Sequence, residues 1–100
     1  MTMNITDDNE ICVGLWQIIA HFGYEHQKKK AVEELGELSR ALARDLQYEG
    51  DRDNIAEEMA DVYIMLAQLQ LIYGNVPEIA AHVREKLGRT VEIVKKEREA

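Results

Sequence analysis

Residues 33–38 read EELGEL, and twenty-four positions later residues 57–62 read EEMADV. Each stretch sets two acids three apart among leucine, methionine or valine at helical spacing. Where the acids fall relative to the apolar stripe therefore decides both the fold and its use. Around the first, Ala31, Leu35, Leu38 and Leu42 recur at intervals of three and four and predict a helix from about Glu25 to Leu46. Around the second, Ile55, Met59, Val62, Leu66 and Leu69 form the stripe of a helix that starts after Asp51 or Asp53 as N-cap and runs to Tyr73, with Gly74 as its left-handed stop. The segment between them, QYEGDRD, reads as a connection in which Gly50 releases the chain from helix geometry.

Working outward, a helix starting after Thr6 or Asp7 runs through ICVGLWQIIAHF to Gly23, with Ile11, Leu15, Ile18 and Ile19 as its stripe. A last helix carries Pro77 near its first turn and Ile79, Val83, Leu87, Val91 and Val94 along one side; Gly88 lies inside it, and the charged tail KKEREA ends it. The third helix is apolar beyond its stripe, at Ile64, Leu71 and Ile72, which predicts cover on more than one side. The expectation is an all-α, four-helix-bundle-like single domain over residues 1–100, completed by assembly into a homodimer or homotetramer.

Composition agrees. The chain is 46% hydrophobic and 31% charged, with one proline and six glycines, too little turn material for a loop-rich all-β fold. A net charge of −7 argues against a binder of nucleic-acid polymers or anionic membranes, which present Lys and Arg to phosphate. It leaves cations as natural partners. No apolar run reaches the roughly 20 residues that cross a bilayer, since Gln68 and Gln70 interrupt the longest. Cys12 is the single cysteine, so no intramolecular disulfide forms, and MTMNITDDNE has no signal-peptide character; the expected location is cytoplasmic.

At 100° per residue Glu34 and Glu37 share one side of their helix, and Glu58 and Asp61 repeat the i, i+3 pair on the next. Two helices joined by a short connection pack antiparallel, which brings the pairs level to within about three residues, or roughly 4–5 Å of rise. Four carboxylates converging beside a core repel one another and bear a desolvation cost unless a cation joins them. Mg²⁺ takes oxygen ligands and phosphate oxygens together. The absence of Glu-x-x-His elements weakens a di-iron reading, and the cysteine count excludes cysteine-rich zinc sites. Against all metal readings stands simple decoration, with Lys30–Glu34 and Glu37–Arg40 as ordinary exposed pairs. Spacing alone leaves these readings evenly balanced.

At these residues the chain resembles the MazG-like, all-α nucleoside triphosphate pyrophosphohydrolases, whose signature is E-x-x-E followed after a helix–loop–helix interval by E-x-x-D. Here it is Glu34-Leu-Gly-Glu37, twenty intervening residues, then Glu58-Met-Ala-Asp61. The flanks HQKKKAVEELGELSRAL and NIAEEMADVYIMLAQL extend the likeness over the middle half of the chain, and more loosely over the last helix. The resemblance implies Mg²⁺-dependent hydrolysis of a nucleoside triphosphate, a deoxyribonucleotide for preference, between its α- and β-phosphates. The products are a nucleoside monophosphate and pyrophosphate, in the service of nucleotide-pool house-cleaning. It implies Glu34, Glu37, Glu58 and Asp61 as metal ligands and Glu33 as the group that orients or deprotonates the attacking water.

Further candidates rest on single residues. Lys30 either meets a phosphate or pairs with Glu34; Lys86 and Arg89 in REKLGRT resemble basic positions of the family's final helix, against the default of a solvated face. Trp16 either stacks on a base or belongs to the core. His21, His26 and His82 have no metal-binding spacing and read as surface or capping residues; Cys12 reads as a small buried hydrophobe, and Met59 and Met65 as packing residues. The competing reading of the whole chain is a noncatalytic helical oligomerisation module whose acids only solubilise it.

Overall fold

The described residues, 8–100, of a computed structural model form four helices and no strand: α1 Asn9–Phe22, α2 Tyr24–Leu46, α3 Arg52–Tyr73 and α4 Val76–Glu99. Each boundary has a local cause. The Asp8 carboxylate accepts from the Ile11 N–H at 3.1 Å and caps α1; Thr6 and Asp7 lie outside the described residues. Gly23, at φ 92° and ψ 158°, occupies a region essentially closed to other residues, so α1 turns directly into α2 one residue earlier than the apolar pattern predicts.

The α2–α3 connection corrects the reading of Gly50. The left-handed residue there is Tyr48, at φ 62°. The Glu49 N–H donates to the Arg44 carbonyl and the Tyr48 N–H to that of Asp45, both at 3.0 Å, the Schellman pattern that closes a helix. Gly50 is needed for a different reason: a Cβ there would lie 2.7 Å from the Asp45 Cα. Asp51 then caps α3 through the N–H groups of Asp53 and Asn54, at 3.0 and 3.3 Å. Gly74 ends α3 in the left-handed conformation, as its position predicts.

The α2–α3 hairpin packs antiparallel, with α1 laid against both helices. Leu15, Ile19, Ala31, Ala41, Val62, Met65 and Ala67 are the buried apolar residues. The inward face of α2 runs through Gln27, Ala31, Glu34 and Ala41, with Leu38 half-buried between them. This face is rotated from the leucine stripe: Leu35 and Leu42 are each 47% exposed. On α3 the shift repeats, with Met65 and Gln68 buried while Met59 and Leu66 remain exposed. Small alanines let the helices approach, and two polar residues occupy seam positions that an apolar count assigns elsewhere. Ile11 and Ile18 of α1 are likewise exposed beside buried Leu15 and Ile19, and Cys12 is only half-buried.

α4 differs from the rest. It has no buried residue, and it makes no extended packing against α1–α3. The radius of gyration is 16.6 Å, against about 13 Å for a compact chain of this length. Val83, Leu87, Val91 and Val94 face outward along its length. No described helix is long and apolar enough to cross a membrane.

Candidate active site

Glu34 and Glu37 of α2 face Glu58 and Asp61 of α3 across the hairpin. The offset estimated from loop length is absorbed: one carboxylate oxygen from each of the four residues lies within 4.8 Å of the other three. Glu34 is buried, Glu37 and Glu58 are half-buried, and Asp61 is exposed, so the cluster opens from the seam toward solvent.

Its electrostatics are unbalanced. Lys30 Nζ reaches Glu34 Oε1 at 3.2 Å and Glu33 Oε1 at 3.6 Å. Among the described residues no other cation lies within ion-pair distance of the four acids; Glu37–Arg40 is not an ion pair. Partial burial, then the charges of Glu37 and Asp61, a hydrogen bond with Glu37 and the charge of Glu34, raise the Glu58 carboxyl above its ordinary range. The hydrogen bond to Glu34, followed by the charges of Glu33, Glu34 and Glu37, raises the Lys30 ammonium.

The donor set fits a divalent cation on two observations. Glu34 Oε2 and Glu58 Oε2 are buried with no hydrogen-bond partner, a position that costs free energy unless something positive joins them. All four residues also offer hard carboxylate oxygens, the chemistry that suits Mg²⁺ or Mn²⁺ and not a soft metal. Solvated decoration does not account for buried, unpaired carboxylate oxygens.

A cleft of about 490 Å³ leads away from the cluster. At the acid end it is lined by Lys30, Glu33, Glu34 and Asp61. At the other end are Phe22, His26, Gln27 and Gln68, with Ile18, Ile64 and Met65 along the wall. Lys30 and Glu33 thus share the cleft with the acids. Trp16, 40% exposed on α1, is not among its lining residues. Lys86 and Arg89 lie on exposed α4, where Arg89 Nη2 sits 3.8 Å from Glu85, and neither lines the cleft of its own chain.

The sequence reading gave no role to Gln27 and Gln68; His26, expected in a surface or capping role, is exposed and also lines the cleft. A signal was present: Gln27 precedes Glu34 by seven residues and Gln68 follows Asp61 by seven, so each glutamine repeats its acid's helical face two turns along. Neither a curated protein nor a solved structure matches the chain at a stringent threshold. A family model does: the MazG nucleotide pyrophosphohydrolase domain matches residues 22–94, from the end of α1 through the acid seam and most of α4. With well over half its length accounted for in this way, the chain belongs to the MazG nucleotide pyrophosphohydrolase family.

Proposed function

We propose that this protein hydrolyses nucleoside triphosphates, deoxyribonucleotides by preference, between the α- and β-phosphates. The observation that carries this reading is the convergence of four carboxylates within 4.8 Å, two of them with buried, unpartnered oxygens, beside a cleft of nucleotide size. Glu34, Glu37, Glu58 and Asp61 would hold Mg²⁺. When bound, the ion supplies neutralisation of phosphate charge and lowers the pKa of water.

The chain's own groups do the rest. Glu33, at the cleft wall, orients the attacking water and takes its proton. The water oxygen bonds to the α-phosphorus, the bond from that phosphorus to the bridging oxygen breaks, and pyrophosphate leaves with the electron pair. Lys30 is held between Glu33 and Glu34 at the mouth of the acid cluster, where a positive charge meets a phosphate oxygen without moving far. The role we propose for that reaction is cytoplasmic house-cleaning of the nucleotide pool.

The second component of the proposal is assembly into a homodimer or homotetramer. It rests on α4, a helix with an apolar stripe and no buried residue, and on the exposed Met59 and Leu66 of α3. Such faces are unfavourable in water and are satisfied by another copy. Assembly would also decide what Lys86 and Arg89 approach, since neither reaches the cleft within one chain. Light scattering across a wide concentration range tests this, and a monomer throughout rejects it.

The chemical test incubates the pure protein with ribo- and deoxyribonucleoside triphosphates, in Mg²⁺ or in EDTA, and resolves all phosphate products. Monophosphate with pyrophosphate, only in Mg²⁺, supports the reaction. Diphosphate with orthophosphate rejects the bond assignment, and no turnover favours the noncatalytic oligomerisation module.

A further inference from the structure

Two turns from the acid cluster, the α2–α3 seam holds a second polar pair. Gln27 and Gln68 are 4% and 2% exposed, and the Gln27 amide nitrogen donates to Gln68 Oε1 at 2.7 Å. His26 Nδ1 lies 2.8 Å from Gln27 Oε1; with an amide oxygen as acceptor, the ring nitrogen is the donor. The hydrogen bonds therefore run one way, from His26 through Gln27 to Gln68. They end at the Gln68 amide nitrogen, whose sole partner among the described residues is the Met65 sulfur at 3.7 Å. A thioether is a weak acceptor, and an amide nitrogen carries two N–H groups. Donor capacity is left over at a side chain that lines the cleft.

Its place relative to the acids is fixed by the helices. Seven residues of rise separate Gln27 from Glu34 and Gln68 from Asp61, about 10 Å in each case, in the same direction because the helices are antiparallel. That is comparable to the span from the phosphates of a nucleotide to the far edge of its base. Beside the pair lies an aromatic shelf: Phe22 and His26 stack at 4.9 Å with 15° between their rings, and Phe22 remains half exposed in the cleft. Aromatic faces stack on any base, whereas a directed N–H discriminates among them.

We propose that the Gln27–Gln68 pair is the base-reading element of this site, and that the Gln68 amide donates to a carbonyl oxygen on the nucleobase. Bases with a carbonyl at that edge, uracil, thymine and guanine, are selected over cytosine and adenine, which present an amino group there. The proposal rests on the preceding assignment of nucleoside triphosphates as substrates. A purely structural pair would stabilise the seam with no effect on base choice.

The test is calorimetric titration of the full chain, in Mg²⁺, with α,β-imido analogues of the uracil, cytosine, guanine and adenine deoxynucleotides and with inorganic triphosphate. The expected result is binding about tenfold tighter for each carbonyl base than for its amino counterpart, the scale of one hydrogen bond. In the double variant Gln27→Leu/Gln68→Met, which removes both partners and leaves no orphaned amide, that ratio falls to about one. Binding of inorganic triphosphate stays unchanged. A folded double variant that keeps the wild-type ratios overturns the proposal, as does a wild-type protein with no carbonyl preference. Should the double variant not fold, the wild-type side-chain amide NMR signals of Gln68 decide: carbonyl-base analogues shift them and inorganic triphosphate does not, and equal shifts overturn the assignment. Failure of the substrate reading is seen separately, as absence of Mg²⁺-dependent binding of inorganic triphosphate, and it removes both proposals.

Discussion

The α2–α3 hairpin and α4 are built from similar material and end in different states. Both carry apolar residues at three and four, yet the hairpin seam buries Ala31, Ala41, Val62 and Met65 together with three polar side chains, while α4 buries nothing. The polar residues of the hairpin, Gln27, Glu34 and Gln68, lie inside it; the apolar residues of α4 lie outside. Periodicity makes a helix amphipathic, but only a neighbour makes a face into an interior. In this molecule the hairpin gives seam positions to polar side chains, and α4 keeps an apolar stripe in water.

The contrast is broken most strongly at the acid cluster. Glu37→Gln and Asp61→Asn each remove a proposed ligand charge with little change of shape. Each is expected to lower Mg²⁺-dependent turnover by more than the roughly 10–100-fold typical of losing a supporting group around a metal. Circular dichroism should show unchanged helicity. Full activity in either purified variant removes that residue from the ligand set.

Next come the two apolar regions. Ile19 is 1% exposed beneath the hairpin, and Ile19→Ala should destabilise by about 2–5 kcal/mol in urea titration, whatever the protein concentration. Leu87→Ala on α4 should cost little in a dilute sample and progressively more as concentration rises, because its stripe is uncovered within one chain and would gain a partner in the proposed assembly. Equal, concentration-independent losses at the two positions would dissolve the distinction between core and interface.

Glu58 sharpens the comparison through pH. Its folded-state carboxyl is raised, so as pH climbs from about 4 the unfolded chain ionises first, and stability falls through that window. In EDTA, Glu58→Gln should therefore melt higher than wild type near neutrality, with the gap closing in acid. Mg²⁺ should reverse the order, since the variant has lost a proposed ligand. A thermal melt series at several pH values, with and without the ion, reads both signs; a variant that melts lower in EDTA at neutral pH rejects the repulsion argument.

The smallest effect belongs to the connection. Tyr48 holds a left-handed φ of 62°, a conformation that costs a non-glycine residue about 1 kcal/mol. Tyr48→Gly should return about that much in chemical denaturation, and no gain would mean that the exposed ring contributes something the turn geometry does not show.

Much of this was legible in the residues themselves. Four helices, a cap at Asp51 or Asp53, the Gly74 stop and the two acid pairs follow from period and end-signals, which are local properties of the chain; the structure selects Asp51. The acid motifs sufficed to suggest the family, because their spacing on two helices is a covalent fact. Which faces turned inward was not local: Leu35, Leu42, Met59 and Leu66 have the right character for a core, but close approach of α2 and α3 favours the alanine-containing face beside them. The inward places of Gln27 and Gln68, the ordering of His26 onto them, and the convergence of four oxygens within 4.8 Å all depend on the register between two helices. The sequence by itself determined which groups the chain carries and on which turn of which helix. Only the tertiary structure decided which of them meet, because burial and charge coupling depend on distances across the seam, and no periodicity along one helix contains those distances.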